Sequence, residues 1–124
     1  MKMLILPNGK PCYYLDKLTA LESHHEIYED NDYLQFDLQI PENAIVFDVG
    51  TNIGNFSRYI VEHYPSAHIY AFEPVTQIYE VYSANLRDYP DRIHSFNNGL
   101  GEKDCGIIIE YFPHLSAVSA IEPF

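Results

Sequence analysis

Four residues that could hold a ligand fall within the stretch VFDVGTNIGNFS, Val46 to Ser57: Asp48, Gly50, Asn52 and Gly54. A second acid, Glu73, follows Asp48 by 25 residues and closes another apolar run, HIYAFEP. Glycine lets backbone approach a ligand that a Cβ would push away. A helix that starts at such a turn offers free amides to the same ligand. A carboxylate at the end of the next strand is suited to gripping a ribose diol, two hydroxyls donating to one acceptor. Hydrogen bonds to a charged acceptor are worth roughly 1.5–3 kcal/mol each, so losing both would weaken binding by about two to four powers of ten. The dinucleotide fingerprint needs G-x-G-x-x-G so that a pyrophosphate can rest on the helix terminus. Here Asn52 replaces the middle glycine, and Asp48 would lie beside the pyrophosphate's negative charge. A methionine-like moiety with an ammonium and a sulfonium finds that charge favourable. The pattern D-x-G-x-x-x-G therefore points to S-adenosylmethionine as cofactor rather than NAD.

The elements that must position these groups can be traced along the chain. AIVFDVG reads as a strand whose near-continuous apolar character suits a parallel sheet covered on both faces. A helix from about Ile53 to Tyr64 follows, with Ile53, Phe56, Ile60 and Tyr64 as its inward stripe and Pro65 as its stop. HIYAFEP is a second strand. The next helix has Pro74 in its first turn and Val75, Ile78, Tyr79, Tyr82 and Leu86 on one face. RIHSFN is a third strand, NNGLG a turn, and IIIEYF a fourth, hairpin-like strand. Strand, helix, strand, helix, strand indicates a parallel sheet with helical crossovers, half of a doubly wound fold.

Upstream of this unit, MLIL and PNGKP read as a strand fragment and a turn. A helix is predicted from Thr19, where Thr19 and Glu22 fit a reciprocal capping box, with Leu18, Leu21, His25 and Tyr28 near one face. YLQFDLQI then alternates Leu34, Phe36, Leu38 and Ile40 with polar residues, a strand-like pattern that also admits a short helix.

Composition excludes several functions. With 124 residues one domain is expected. Seven basic residues against 18 acidic ones give a net charge of −11, and no basic run exists, which argues against nucleic acid and against an anionic membrane surface. MLIL is too short for a signal peptide or a membrane span. Cys12 and Cys105 have no paired spacing and read as free thiols of a reducing compartment, so the expected location is the cytoplasm. His24, His25 and Glu26 do not form a metal set, because adjacent histidines on a helix diverge and no H-x-x-x-H pair accompanies them. His63, His68, His94 and His114 are scattered. Ser116 and Ser119 lack a G-x-S-x-G context. Tyrosines such as Tyr79 and Tyr82 read as amphipathic packing.

Each candidate also has a plainer reading. Gly50 and Gly54 could serve a strand-to-helix turn alone, Asp48 could be a helix cap, Glu73 a solvated strand-end acid, and Asn98 a turn residue. The joint occurrence of the acid–glycine pattern and Glu73 favours the ligand.

VFDVGTNIGNFS, AFEP, the helix after it and NNGLG resemble class I S-adenosylmethionine-dependent methyltransferases, and more narrowly the FkbM-type family. HEIYEDNDYLQF, at 25 to 36, is also similar to the stretch before the loop in that family. The resemblance covers about residues 20 to 112. It implies an α/β fold: a partial Rossmann-like doubly wound sheet, the first half of a class I methyltransferase, with an N-terminal helical segment. Residues 1–40 would form a helical and extended prelude and 41–124 the cofactor-binding half-domain. It further implies that Asp48, Gly50 and Gly54 hold the methionine end, with Asn52 as a side-chain contact and Thr51 where the family commonly has alanine. Glu73 would hold the ribose, Pro74 would pack near the adenine, and Asn98 and Gly99 would meet the adenine edge. The expected reaction is O-methylation of a small molecule or sugar. An NAD-binding oxidoreductase domain and a non-catalytic half-fold are the rival readings.

The family's sheet has further strands, one of which pairs with the first strand and supplies substrate contacts. Without it, Ile45 to Val49 would be an exposed apolar edge, which proteins normally cover. A longer gene product, another chain or a second copy completing the sheet, or a natural remnant would each account for this, and the first is the expectation. No residue presents itself as a base for the acceptor hydroxyl; His114 is the nearest.

Overall fold

A computed structural model describes residues 1–30, 39–102, 104, 106–110 and 120–123 of the chain. Strands β1 (Lys2–Ile5) and β2 (Pro11–Tyr14) pair as an antiparallel hairpin. Helix α1 (Lys17–His24) then runs into a π-helix, His25–Glu29. α1 starts earlier than predicted. Its N-cap is Asp16, whose carboxylate accepts from Thr19 N at 2.9 Å. A charged acceptor satisfies the orphan amides of the first turn better than the Thr19 hydroxyl would, so the Thr19–Glu22 box does not define the start. The inward face is Ala20, His24 and Ile27, whereas Leu18 is 65% exposed and His25 is also exposed. A small residue and a histidine hid that stripe. The wider π turn, with Asp30 N donating to His25 O, then changes its phase.

The central unit follows the predicted order: β3 (Ile45–Val49), α2 (Asn55–His63), β4 (His68–Phe72), α3 (Thr76–Asn85) and β5 (Ile93–Phe96). The three strands form a parallel sheet in the order β3-β4-β5. Val49 pairs with Phe72, and Phe72 with Phe96, so the carboxyl ends of all three strands are level. α2 and α3 cover one face, burying Ile60, Val61, Tyr82 and Leu86 against Ile69 and Ala71 of β4. Pro74 stands before α3 rather than in its first turn, because Val75 is the N-cap.

Cover on both faces of β3 was predicted, and one face has it. Ile45, Phe47 and Val49 are 68%, 67% and 59% exposed. On that open face Phe47 meets Tyr70 edge-on at 5.9 Å, and Phe72 stacks on Phe96 at 5.3 Å. The described residues supply a single helical layer, and a doubly wound sheet has two.

The N-terminal segment is tied into this unit. Leu6, Cys12, Ala20, Ile53 and Val81 share one buried cluster. The Asn85 side chain accepts from Tyr13 N at 2.7 Å and donates to Tyr13 O and Ile53 O at 3.0 and 2.8 Å, linking β2, α3 and the loop before α2. Cys12 is a free thiol, buried, and burial pushes its ionisation upward, so it acts as a core residue. β6 (Ile107–Glu110) pairs antiparallel with β7 (Ala120–Pro123), a strand in the tail that the sequence reading did not foresee. Leu34, Phe36, Leu38, Cys105, His114, Ser116 and Ser119 lie outside the described residues. No helix among the described residues is long and apolar enough to cross a membrane.

Candidate functional site

The loop between β3 and α2 takes three left-handed steps, at Gly50 (φ 75°), Asn52 (φ 50°) and Gly54 (φ 99°). Asparagine is among the few residues with a side chain that tolerates this region. Gly50 N donates to Phe72 O at 2.8 Å and so carries the β3–β4 pairing one residue past the strand. The two glycines, predicted to share one purpose, differ. A Cβ built on Gly50 meets nothing within 4 Å, so that backbone is open to an approaching group. A Cβ on Gly54 would lie 2.5 Å from Leu86 Cδ2 and 2.9 Å from Tyr82 Cδ2. Packing of α3 against the loop, rather than ligand approach, accounts for Gly54.

Between this loop and α1 lies a cavity of about 370 Å³. Asp48, Gly50, Thr51 and Asn52 line one side, and Glu22 and Glu26 line the other. Asn55, 3% exposed, fixes the spacing of the two walls by donating to Ala20 O at 3.3 Å and Ser23 Oγ at 3.2 Å. Among the described residues no lysine or arginine lines the cavity.

Asp48 Oδ2 accepts from Ser57 Oγ at 2.7 Å, and Ser57 Oγ accepts from Tyr82 OH at 2.9 Å. Burial raises the Asp48 carboxyl above its ordinary range, and the Ser57 hydrogen bond opposes the rise. Asn52 Oδ1 is enclosed with no hydrogen-bond partner among the described residues. An enclosed acceptor of this kind calls for a donor. Thr51 is buried, and its hydroxyl donates to Asn52 O at 3.0 Å.

Glu73, 5% exposed, reaches the loop from the β4 side. Its Oε1 accepts from Asn52 N at 3.3 Å and its Oε2 from Val75 N at 3.1 Å. The carboxyl is raised chiefly by burial; the two amides oppose this and the Asp48 charge adds to it. Each oxygen keeps an unused lone pair beyond the amide it already accepts from. Pro74 and Gly99 are neighbours across the strand ends, a Cβ on Gly99 lying 3.8 Å from Pro74 Cβ. Asn98 and Gly99 are exposed. The structure thus brings Asp48, Gly50, Thr51 and Asn52 onto the cavity. It places Glu73 behind the loop and leaves Gly54, Pro74, Asn98 and Gly99 off the cavity wall.

Sequence reasoning missed Ser57, Tyr82 as a donor, and Asn55. The signal for Ser57 was its place on the inward stripe of α2, between Ile53 and Ile60. Among the described residues no group of three His, Cys, Asp or Glu side chains could hold a metal ion. The residues present do fit the cofactor read from the sequence: the Asp48 carboxylate on the cavity wall suits an ammonium, the enclosed Asn52 oxygen lacks a donor, and Gly50 leaves its backbone accessible.

The sheet order and the loop at the strand ends define a Rossmann-like unit, and comparison with a solved structure agrees. Coclaurine N-methyltransferase bound to N-methylheliamine and SAH aligns with a TM-score of 0.53 at 19% identity, over 75% of this chain and 28% of that one. No family model matches the chain. Curated relatives do. Methyltransferase sdnD of Sordaria araneosa is 35% identical over 114 residues, 90% of this chain and 43% of that protein. The 31-O-demethyl-FK506 methyltransferase FkbM of Streptomyces tacrolimicus is 32% identical over 85 residues, 68% of this chain and 33% of that protein. The AMB antimetabolite synthetase AmbE of Pseudomonas aeruginosa is 34% identical over 119 residues, 96% of this chain and 6% of that protein. The chain therefore spans less than half the length of these relatives. Sequence and fold together relate it to the FkbM-type class I methyltransferases.

Proposed function

We propose that the chain is the cofactor-binding half of an S-adenosylmethionine-dependent O-methyltransferase acting on a small molecule or sugar. The observation that carries this reading is that Asp48 and Asn52, whose enclosed Oδ1 has no partner among the described residues, line one wall of a cavity with no basic residue among the described residues around it. When bound, S-adenosylmethionine supplies an already activated methyl group. What the chain then contributes is binding and orientation. Asp48 and Asn52 receive the ammonium, the bare backbone at Gly50 lies against the methionine chain, and Glu73 takes the ribose hydroxyls. Pro74, Asn98 and Gly99 lie toward the adenine. That sdnD and FkbM among the curated relatives are methyltransferases supports the same reading.

A dinucleotide is disfavoured by Glu22, Glu26 and Asp48 around the cavity, because a pyrophosphate would enter a field of its own sign. Calorimetric titration separates the possibilities. S-adenosylhomocysteine is expected to bind at least about tenfold tighter than NAD, a gap of about 1.4 kcal/mol. Binding of NAD alone would overturn the proposal, and binding of neither would favour a non-catalytic module.

We further propose that the outer edge of β3 and the open face beside it are covered. Protein covers both, as a second copy of the chain or as the remaining half of the fold. The 124-residue chain by itself is then expected to self-associate in light scattering, and Phe47→Lys to reduce that association. A monodisperse monomer at high concentration excludes the second copy.

A further inference from the structure

A serine on an apolar helix stripe is costly to bury unless its hydroxyl is paired. Ser57 and Tyr82 are both fully enclosed, and each hydroxyl finds its partner in a single line: Tyr82 OH donates to Ser57 Oγ, and Ser57 Oγ donates to Asp48 Oδ2. The direction is fixed at the far end, since an ionised carboxylate only accepts. A hydroxyl that receives one hydrogen bond donates a stronger one. Mutual satisfaction of buried groups would explain this line if it ended on backbone. It ends instead on the carboxylate that lines the cavity, whose other oxygen, Oδ1, has no hydrogen bond from the described residues.

We propose that Tyr82 and Ser57 are positioning residues for Asp48: the two-hydroxyl relay fixes the carboxylate's orientation and keeps it charged on the cavity wall, where it receives the cofactor's ammonium. This inference rests on the cofactor reading above for its ligand, and on the chain's own geometry for the relay.

Among the described residues, the titratable groups that line the cavity with Asp48 or feel its charge are acids or weak acids. Glu22 and Glu26 approach from α1 and the π-helix, Glu73 from the end of β4, and the Tyr82 phenol from α3. Burial also resists the charge, and the Ser57 hydrogen bond is the contribution that favours it. Removing it therefore raises the pH at which Asp48 ionises, and cofactor affinity at a given acidic pH falls with it.

The test follows the Asp48 carboxyl carbon by NMR through a pH titration of the isotope-labelled full chain, without ligand. Ser57→Ala is expected to raise the midpoint by about one pH unit. Tyr82→Phe, which keeps the ring and its packing, raises it by less. In the Ser57→Ala background Tyr82→Phe adds nothing, because the line is already cut. The acid limb of S-adenosylhomocysteine binding moves by the same amount, so that near the wild-type midpoint Ser57→Ala binds about fivefold more weakly, approaching about tenfold at lower pH. An unmoved Asp48 midpoint in Tyr82→Phe and Ser57→Ala overturns the relay, and Tyr82→Phe alone decides if Ser57→Ala fails to fold. A moved midpoint in a chain that binds no S-adenosylhomocysteine leaves the relay standing and overturns the cofactor reading instead.

Discussion

Glu73→Ala is expected to weaken S-adenosylhomocysteine binding by about two to four powers of ten and to lower the thermal midpoint at the same time. Two effects combine because the carboxylate already has two partners in the ligand-free chain, Asn52 N at 3.3 Å and Val75 N at 3.1 Å. Alanine leaves both amides without an acceptor, at a cost of about 1–3 kcal/mol for each that stays buried. It also releases the ligand loop from the end of β4. Glu73→Gln separates the two effects. Its one carbonyl oxygen can keep the shorter bond to Val75 N, while its NH₂ faces Asn52 N, donor against donor, so stability is largely retained and the loop is freed. The pH dependence has a definite sign. Burial raises the Glu73 carboxyl above its unfolded value, so the folded chain holds that proton more tightly than the unfolded chain does. The resulting stability is full below the ordinary glutamate range and is lost as pH rises through the raised value. The stability deficit of Glu73→Ala is therefore larger below that window than above it. Ribose hydroxyls prefer the charged carboxylate, so cofactor binding runs the other way and strengthens with pH. Calorimetry and thermal melts at several pH values measure both, and wild-type affinity in Glu73→Ala would remove Glu73 from the site.

How far the sequence foretold this arrangement depends on which physical signal each residue carries. Ile60, Ile78 and Leu86 were legible because an apolar residue at helical spacing has one natural destination, and all three are buried. The loop was legible because Asp48, Gly50 and Asn52 are unusual together at a strand end. Leu18 misled: its hydrophobicity suggested an inward face, but Asp16 sets the start of α1 and the π turn sets its phase, and Leu18 faces solvent. Ser57, Asn55 and Asn85 were illegible as connectors because a polar side chain in the core depends on partners in other elements, 9 to 72 residues away, as with Asp48 and Tyr82 for Ser57 and Tyr13 for Asn85. Glycine identity marked Gly50 and Gly54 alike. Their surroundings, one open and one against Leu86 and Tyr82, exist only once α3 has docked.

That difference makes the second large effect separable from the first. Gly54→Ala is expected to destabilise the chain by about 2–5 kcal/mol. Overpacking against α3 contributes about 1–3 kcal/mol and the left-handed backbone about 1–2 kcal/mol. The clash falls on Leu86 Cδ2 and the Tyr82 ring, both fully enclosed, so neither has room to yield. For a chain of this size the thermal midpoint should drop by roughly 10 °C or more. Gly50→Ala carries the backbone cost alone, since its Cβ enters open space, and it should fold with a much smaller loss. Its methyl group, however, enters open space at a residue that lines the cavity, and S-adenosylhomocysteine affinity should fall while the fold remains. Thermal melts and calorimetry on the two variants give opposite rankings: Gly54→Ala the worse in stability, Gly50→Ala the worse in affinity per unit of folded protein. A Gly54→Ala chain that melts like the wild type would mean that α3 does not press on the loop. Undiminished binding by Gly50→Ala would mean that the ligand lies elsewhere, because a bound methionine chain and an added Cβ cannot share the same space.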